Sequence, residues 1–405
     1  MGLALALVGC DILEVDNPNN LVEGDLENPS AATAMANGAE ASVARALGAI
    51  HAPYHTATDE LTWIGSRDAW LELDNGILSN ELNEFTDAAF PYVAEARWQV
   101  DDFIGRLETF QEEGSLPREA DLGRMYLYGA IIYTSIADMF EDYPLASDRR
   151  EGAPPVGPSN MSSLYDTALD YVSSGLPLVS EGSELEAVFL GMRARILFSR
   201  SVWSKVNPAG QVDTGDALVN NAEVVTAAQE ALAAMGDDFL YELELIASSP
   251  GLVVGDLSMA LQVNNRAELG FGTTYIQPNS DGTYSPDDET SAVTFTDMIT
   301  GEVHPYIKSR IDQFVAAREY ADIPVVSARE MHLILAEAAL AGNGSVDFAT
   351  QINAIRGLDG LAPYDGQGDD DFELDLLVES RQVNLFLAGR RLVDHYRFQD
   401  PSEEW

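Results

Sequence analysis

Apolar residues follow the 3.6-residue period of an α-helix along most of this chain, with one long interruption. The first helical segment, residues 29–51, repeats Ala36, Ala39, Val43 and Leu47 at this spacing. We predict further helices at residues 83–113, 117–141, 161–176, 184–205, 213–235, 327–341, 346–356 and 371–397. Helices outnumber every plausible strand, so the pattern predicts an all-α fold. The short turns favour tetratricopeptide-like helix pairs, although no clean repeat of about 34 residues is present.

The interruption covers residues 238 to about 310, where glycine and proline break every long period. These residues are Pro250, Gly251, Gly255, Gly270, Gly272, Pro278, Gly282, Pro286 and Gly301. The stretch predicts short elements joined by long loops, which in a globular chain are usually functional or disordered. We therefore expect a single domain over residues 10–405, with a loop-rich insertion at about 238–310 that forms an irregular lobe.

The only cysteine, Cys10, closes a short apolar leader. The run Leu7-Val8-Gly9-Cys10 resembles a bacterial lipobox, in which a peptidase cuts before an acylated cysteine. Residues 1–9 are then a lipoprotein signal peptide, and Cys10 is the lipidation site. This leader has no Lys or Arg and is shorter than a full signal peptide, so we expect it to be truncated. The alternative is a buried thiol near the N-terminus.

The net charge is −45, from 67 acidic and 22 basic residues. Such a surface repels phosphate backbones and anionic lipids, so we expect neither nucleic-acid binding nor electrostatic docking to a membrane. No apolar stretch after Cys10 is long enough to span a bilayer, so a membrane anchor must be covalent. Molar salt would screen the self-repulsion, which predicts a halophilic source.

Motifs for familiar chemistry are missing from the sequence. It has no nucleophile elbow, P-loop, HExxH or paired-cysteine metal motif, and we predict no catalytic residue, metal or cofactor. His51 and His55 have the i,i+4 spacing of a metal pair, but a third ligand would have to come from elsewhere. The acidic loops at 281–289 and 365–375 lack EF-hand spacing, and a solvated surface explains them better.

A sugar-binding surface needs flat apolar faces beside hydrogen-bonding side chains, and aromatic residues in loops supply the faces. Two polar segments have this composition, one between the first two helices and one in the irregular region. The candidate ligand-binding residues are Trp63, Arg67, Asp68 and Trp70 in the first segment, and Tyr275 and Tyr284 in the second, near Gln277 and Asn279. The alternative is that these aromatic rings pack under loops as core. Trp98 and Trp203 fall inside helices and are predicted to be core.

Four segments carry motifs in a shared order. They are CDILE at 10–14; RMYLYGA at 124–130 running to MFEDYPL at 139–145; SAREMHLILAEA at 327–338 with INAIR at 352–356; and ESR at 379–381 with LFLAGRR at 385–391 and Asp394. Together they resemble the SusD/RagB family of surface-exposed nutrient-binding lipoproteins. Glu141, Asp142, Asn384 and Ala388 depart from the residues that are common in that family.

The resemblance implies a non-catalytic protein that is lipid-anchored in the outer membrane and faces the cell exterior. It would capture a nutrient, most often a glycan, and deliver it to a SusC-like TonB-dependent transporter. SusD-like proteins often place stacking aromatic residues in the segment that holds Trp63 and Trp70. Two alternatives stay open, an all-α glycoside hydrolase and a helical-repeat adaptor that binds peptide or protein.

The charged residues of the C-terminal motifs are predicted to be structural. Glu330 and Glu337 lie two helical turns apart on one face of a predicted helix. Arg391 and Asp394 have the i,i+3 spacing that lets them pair on one surface. We expect these four side chains to cap and brace helices.

Overall fold

The computed structural model describes residues 23–147, 152–207, 214–245, 258–279, 284 and 292–399, and these residues are mostly helical. The predicted leader and Cys10 lie outside the described residues. The α-helices are α1 Ala32–Thr56, α2 Asp68–Asp74, α3 Glu84–Glu112, α4 Glu119–Met139, α5 Ser163–Gly175, α6 Glu184–Val206, α7 Ala222–Ala234, α8 Met259–Asn264, α9 Pro305–Ala316, α10 Ala328–Leu340, α11 Phe348–Leu358, α12 Asp370–Asn384 and α13 Arg391–Phe398.

Short strands pair in three two-stranded ribbons within the described residues. The strands are β1 Leu61–Trp63, β2 Leu240–Leu243, β3 Leu269–Phe271, β4 Ile276–Gln277, β5 Ala292–Val293 and β6 Ile323–Ser327. β1 pairs with β3, β2 with β6 and β4 with β5, all antiparallel. Four of the six strands fall in the glycine- and proline-rich stretch, where the described elements that precede α9 are short.

Helices pack as neighbouring pairs, as the sequence predicts. α1 packs on α3, α4 on α5, α6 on α7 and α10 on α11. α4 is buried on nearly every side, with Leu122, Tyr128 and Ile132 in the core. Burial of these apolar faces is the main favourable contribution to folding. The helix pairs together form the scaffold that carries the irregular lobe. Among the described residues, no helix has the length and apolarity needed to cross a membrane.

Polar side chains fix where several helices begin. The Asn83 side chain accepts hydrogen bonds from the N–H groups of Phe85 and Thr86 at the start of α3. The Ser327 hydroxyl accepts one from the N–H of Glu330 at the start of α10. A helix leaves its first N–H groups without partners in its own backbone, so these caps stabilise its N-terminus.

The single helix predicted at residues 371–397 is wrong, because the chain breaks between α12 and α13. Leu387 has φ of 55° and Gly389 has φ of 75°, and neither value is helical. A side chain at position 389 would place its Cβ 2.8 Å from the Met139 Cε atom, so only glycine fits there without a shift. After the break, α13 packs against α6 and α1.

The helical tryptophans and two short helices also differ from expectation. Trp98 and Trp203 lie in α3 and α6 as predicted; both are partly exposed, and Trp203 packs against the core. The Trp98 indole N–H donates to the Ser147 carbonyl at 3.1 Å. α2 occupies part of the segment that was predicted to be a polar loop, and α9 begins inside the loop-rich stretch.

Candidate ligand-binding site

The ribbon of β1 and β3 brings the two predicted ligand-binding segments together. Its register pairs Leu61 with Phe271, Thr62 with Gly270 and Trp63 with Leu269. Trp63 therefore lies beside the chain that leads into the second segment. We use the name ribbon site for the four predicted ligand-binding residues that keep solvent exposure, Trp63, Arg67, Asp68 and Tyr284.

The loop that follows β1 is held by one residue from the opposite segment. The carbonyl oxygen of Glu268 accepts from the N–H groups of Ile64 and Gly65, both at 3.1 Å. The Glu268 carboxylate accepts from the N–H groups of Ser66 at 2.8 Å and Arg67 at 3.1 Å. Burial raises the pKa of Glu268, but these hydrogen bonds outweigh it and hold the pKa below its ordinary value.

Arg67 and Asp68 lie at the start of α2, where both reach solvent. The Arg67 guanidinium donates to Glu84 at 2.6 Å and lies 4.9 Å from the centroid of the Phe85 ring. Asp68 is exposed in the first turn of α2, where a negative charge is favoured by the helix dipole. Both side chains can reach a ligand at the surface, although Arg67 already has an ion-pair partner.

Trp70 and Tyr275 are core residues, and the prediction that they contact ligand is wrong for this structure. Both side chains are 0% exposed. The Trp70 ring stacks on Phe85, with centroids 3.6 Å apart. Tyr275 stacks on Phe295 at 5.5 Å and packs against Phe386 at 4.7 Å. A ring with no exposed face cannot stack on a sugar, so both hold the ribbon from beneath.

Trp63 and Tyr284 are partly exposed. The backbone N–H of Trp63 donates to Asp74 at 3.0 Å, while its buried indole Nε1 finds no acceptor among the described residues. The Tyr284 hydroxyl donates to Asp312 at 2.7 Å. Burial, and then the Asp312 carboxylate, raise the pKa of Tyr284 above its ordinary value. These two rings are the aromatic faces that the ribbon site offers.

Near the ribbon site, three large apolar side chains are exposed that the sequence analysis did not single out. Ile77, Leu78 and Leu82 lie in the connection from α2 to α3, and Leu82 is 83% exposed. The available signal was three large apolar residues within the short polar segment between Gly76 and Asn83. Such a patch beside a candidate binding surface is typical of an interaction site.

The ribbon is anchored by two acidic residues that directly precede β1. Asp59 receives two hydrogen bonds from Arg391, each 2.8 Å long. Burial alone would raise the pKa of Asp59, but hydrogen bonds from Arg391 and His395 hold it well below its ordinary value. Glu60 accepts from the backbone N–H of Leu387 at 2.7 Å. The start of β1 is therefore fixed to the C-terminal segment.

Other charges of that segment are also buried and paired. Arg390 donates to Glu330 at 3.0 Å, and Arg397 donates to Glu337 through both terminal nitrogens. Asp394 accepts from Arg381 at 2.8 Å and from Arg397 at 2.9 Å. We call Arg381, Arg390, Arg391, Asp394 and Arg397 the C-terminal brace.

The brace confirms that these charged residues join helices, but it corrects one pairing. Arg391 and Asp394 were predicted to pair with each other on a surface. Both are instead buried, with Arg391 on Asp59 and Asp394 on two other arginines. Helical spacing alone could not reveal these partners, because they come from distant elements.

His51 and His55 lie at the end of α1 and are both buried. His55 Nδ1 is 2.5 Å from the Glu60 carboxylate, and the two imidazole rings meet edge to face at 5.1 Å. Burial, followed by the charges of His55, Arg390 and Arg195, lowers the pKa of His51 well below its ordinary value. Among the described residues, no group of three or more metal-ligating side chains could hold an ion.

A groove of about 540 Å³ lies away from the ribbon site, between the ends of α6, α10 and α13 and the start of α12. Its polar lining includes Lys205, Asp216, Asn220, Asp370 and Asp371. Lys205 pairs with Asp216 at 2.9 Å, and the apolar part of the lining includes Leu218, Leu340 and Leu374.

Comparison with known proteins identifies the fold from solved structures but finds no relative by sequence. No protein-family model and no curated protein matches the sequence. Solved structures do match: the SusD homolog of Bacteroides thetaiotaomicron aligns with a TM-score of 0.64 and 12% identity over 93% of this chain and 88% of its own. The chain has the SusD-like fold.

Two further SusD-like structures agree. A SusD superfamily protein of Bacteroides fragilis has a TM-score of 0.62 and 13% identity, over 91% of this chain and 90% of its own. A SusD-like carbohydrate binding protein of Bacteroides vulgatus has a TM-score of 0.61 and 11% identity, over 92% of this chain and 84% of its own. The SusD-like fold predicted from the four motifs is confirmed, with its paired helices and irregular lobe.

Proposed function

We propose that this chain is a non-catalytic, surface-exposed lipoprotein that binds a nutrient of the glycan class at the ribbon site. It would deliver this ligand to a SusC-like TonB-dependent transporter in the outer membrane. The SusD-like fold over more than nine-tenths of the chain is the observation that carries the proposal. One of the structures with this fold is a carbohydrate binding protein.

The ribbon site has the chemistry that sugar capture requires. Trp63 and Tyr284 offer partly exposed rings against which the C–H face of a pyranose can lie. Arg67 and Asp68 stand beside Trp63 and supply a donor and an acceptor for hydroxyl groups. The site therefore combines stacking with hydrogen bonding on a loop that a rigid scaffold positions.

The test is calorimetric binding against a panel of oligosaccharides, with the products analysed for hydrolysis. Trp63→Leu keeps apolar packing but removes the flat ring, so it should weaken binding by about 1–3 kcal/mol. Trp98→Leu is the matched control, since Trp98 is also partly exposed but lies on α3. Turnover of a glycan would support the glycoside hydrolase alternative, whereas binding of peptides alone would support the adaptor.

The anchor and the partner need a separate experiment. The proposed acyl anchor at Cys10 predicts that the native protein is extracted only with detergent, and that Cys10→Ala releases it. Mass spectrometry of the N-terminus and of co-purifying proteins should then find an acylated cysteine and a large β-barrel transporter. A soluble wild-type protein with no barrel partner would remove the membrane role.

A salt-rich habitat is part of the proposal, because the net charge of −45 favours it. Screening shortens from about 10 Å at 0.1 M salt to about 3 Å at 1 M, which relieves repulsion between surface carboxylates. We expect the melting temperature to rise between dilute and molar KCl. Equal melting temperatures in the two solutions would contradict a halophilic source.

A further inference from the structure

The loop after β1 directs four successive N–H groups at one residue. Ile64 and Gly65 donate to the carbonyl oxygen of Glu268, while Ser66 and Arg67 donate to its carboxylate. The Ser66 hydroxyl adds a fifth bond, at 3.0 Å to the second carboxylate oxygen. Ser66 and Arg67 thus present two successive N–H groups and one hydroxyl to a single carboxylate, an arrangement that suits an anion.

The backbone on both sides is adapted to this contact. A Cβ atom at position 65 would lie 2.6 Å from the Glu268 Cα atom, so the loop can approach Glu268 only because residue 65 is glycine. On the other side, Ala267 has φ of 50°, the left-handed region that non-glycine residues rarely adopt. This unusual conformation directly precedes the residue that fills the site.

We infer that Ser66 and Arg67 form a carboxylate-binding nest that the chain fills with its own Glu268, and that this internal anion fixes the loop carrying Trp63 and Arg67. Glu268 is then a positioning residue. It joins the two halves of the ribbon site, which are about 200 residues apart in sequence. Its importance for ligand capture rests on the proposed function, but the nest itself can be tested without a ligand.

The geometry explains why a carboxylate fills the nest. Three donors converge on the Glu268 carboxylate, and hydrogen bonds to an ionised acceptor are stronger than those between neutral groups. The same donors keep the Glu268 pKa low, so the side chain stays charged. Since Glu268 is only partly buried, a small anion from solvent can reach the donors when the side chain is removed.

Hydrogen exchange of the backbone amides at residues 64–67 tests the nest, with acetate as the probe. In Glu268→Ala the amides of Ser66 and Arg67 lose their acceptor, so their exchange should quicken by about tenfold or more. Molar sodium acetate should restore slow exchange in this variant, whereas equal sodium chloride should not. Unchanged exchange in Glu268→Ala, or fast exchange that acetate does not slow, would overturn the inference.

Two further variants distinguish loss of the nest contacts from a general loosening of the loop. Glu268→Gln keeps the size of the side chain and occupies the nest, so acetate should have no effect on its exchange. Glu84→Ala removes the other partner of Arg67 but leaves the nest intact, and its amides should exchange as in the wild type. If these amides also exchange fast in Glu84→Ala, the protection comes from Arg67 and the nest is wrong.

Calorimetry of the same variants keeps the two proposals distinguishable. If the wild type binds a glycan of the panel, Glu268→Ala should bind it about tenfold more weakly, and acetate should recover part of the loss. If the wild type binds no glycan while acetate still slows exchange in Glu268→Ala, the proposed function fails and the nest stands.

Discussion

The C-terminal brace and the ribbon site use the same kinds of charged side chain in opposite ways. In the brace, Arg397 is 0% exposed and both of its carboxylate partners are buried. At the ribbon site, the side chains of Arg67 and Glu84 are 32% and 56% exposed. Removing one partner of a buried pair leaves an uncompensated charge, whereas an exposed pair contributes little. The brace therefore contributes more to stability than the exposed Arg67–Glu84 pair does.

The comparison also shows where the few positive charges lie. Eight arginines are buried among the described residues, and four of them, Arg381, Arg390, Arg391 and Arg397, belong to the brace. A chain with 67 acidic residues thus combines a core joined by ion pairs with a strongly negative exterior.

The largest effect should come from breaking the brace. Arg397→Met leaves Glu337 and Asp394 without their main shared partner, so the free energy of unfolding should fall by about 3–5 kcal/mol. Urea unfolding measures this change. Lys308→Met is the control, because it breaks an exposed pair with Asp312. Equal losses in both variants would remove the distinction between buried and exposed pairs.

A smaller decrease in the free energy of unfolding should follow from crowding the loop of the ribbon site. Gly65→Ala forces a Cβ atom against Glu268, so we expect a loss of about 1–3 kcal/mol. Gly105→Ala is the matched control, because Gly105 lies inside α3 with no neighbouring atom within 4 Å. That variant should gain up to about 1 kcal/mol from helix propensity. Thermal or urea unfolding that ranks the two variants in the opposite order would contradict the close approach.

The next effect is a pH dependence of the free energy of unfolding, which arises from His51 at the end of α1. His51 has a lowered pKa in the folded chain, so below its ordinary value of 6.5 the unfolded chain binds a proton that the folded chain does not. Stability should therefore fall as the pH decreases from 6.5. His51→Leu should reduce this slope by up to about 1.4 kcal/mol per pH unit.

Unfolding measured from pH 8 to pH 5 checks this prediction. His332→Leu, on the partly exposed face of α10, should leave the His51 contribution to the slope in place. An unchanged slope in His51→Leu would show that other groups cause the acid sensitivity.

The smallest effect should come from the exposed ion pair of the ribbon site. Glu84→Gln removes the partner of Arg67 but leaves both side chains in contact with water. The free energy of unfolding should change by less than about 1 kcal/mol. A loss as large as that of Arg397→Met would show that the ribbon site is as rigid as the brace.

The sequence predicted the scaffold well because helical periodicity is a local signal. It failed between α12 and α13, where two residues with positive φ interrupt a periodic pattern. Leu387 gives no local warning of such a conformation, since it is stabilised by packing and by the hydrogen bond from its N–H to Glu60. That contact joins residues far apart in the sequence.

The ribbon site could be predicted only in part for the same reason. Polar neighbours made Trp70 and Tyr275 resemble loop aromatics, but Phe85, Phe295 and Phe386 bury them from other elements. Trp63 and Tyr284 stay candidate ligand residues. The pairing of β1 with β3, which joins the two segments, has no sequence signal that the periodicity analysis could detect.

The central claim is that the ribbon site binds a glycan while the brace maintains the fold. The most direct test is a calorimetric titration of the glycan selected by the panel into Trp63→Leu, under conditions where unfolding shows the variant to be folded. We predict that affinity falls by about 1–3 kcal/mol, that Trp98→Leu binds as the wild type does, and that no glycan is hydrolysed. Wild-type affinity in folded Trp63→Leu would contradict the claim.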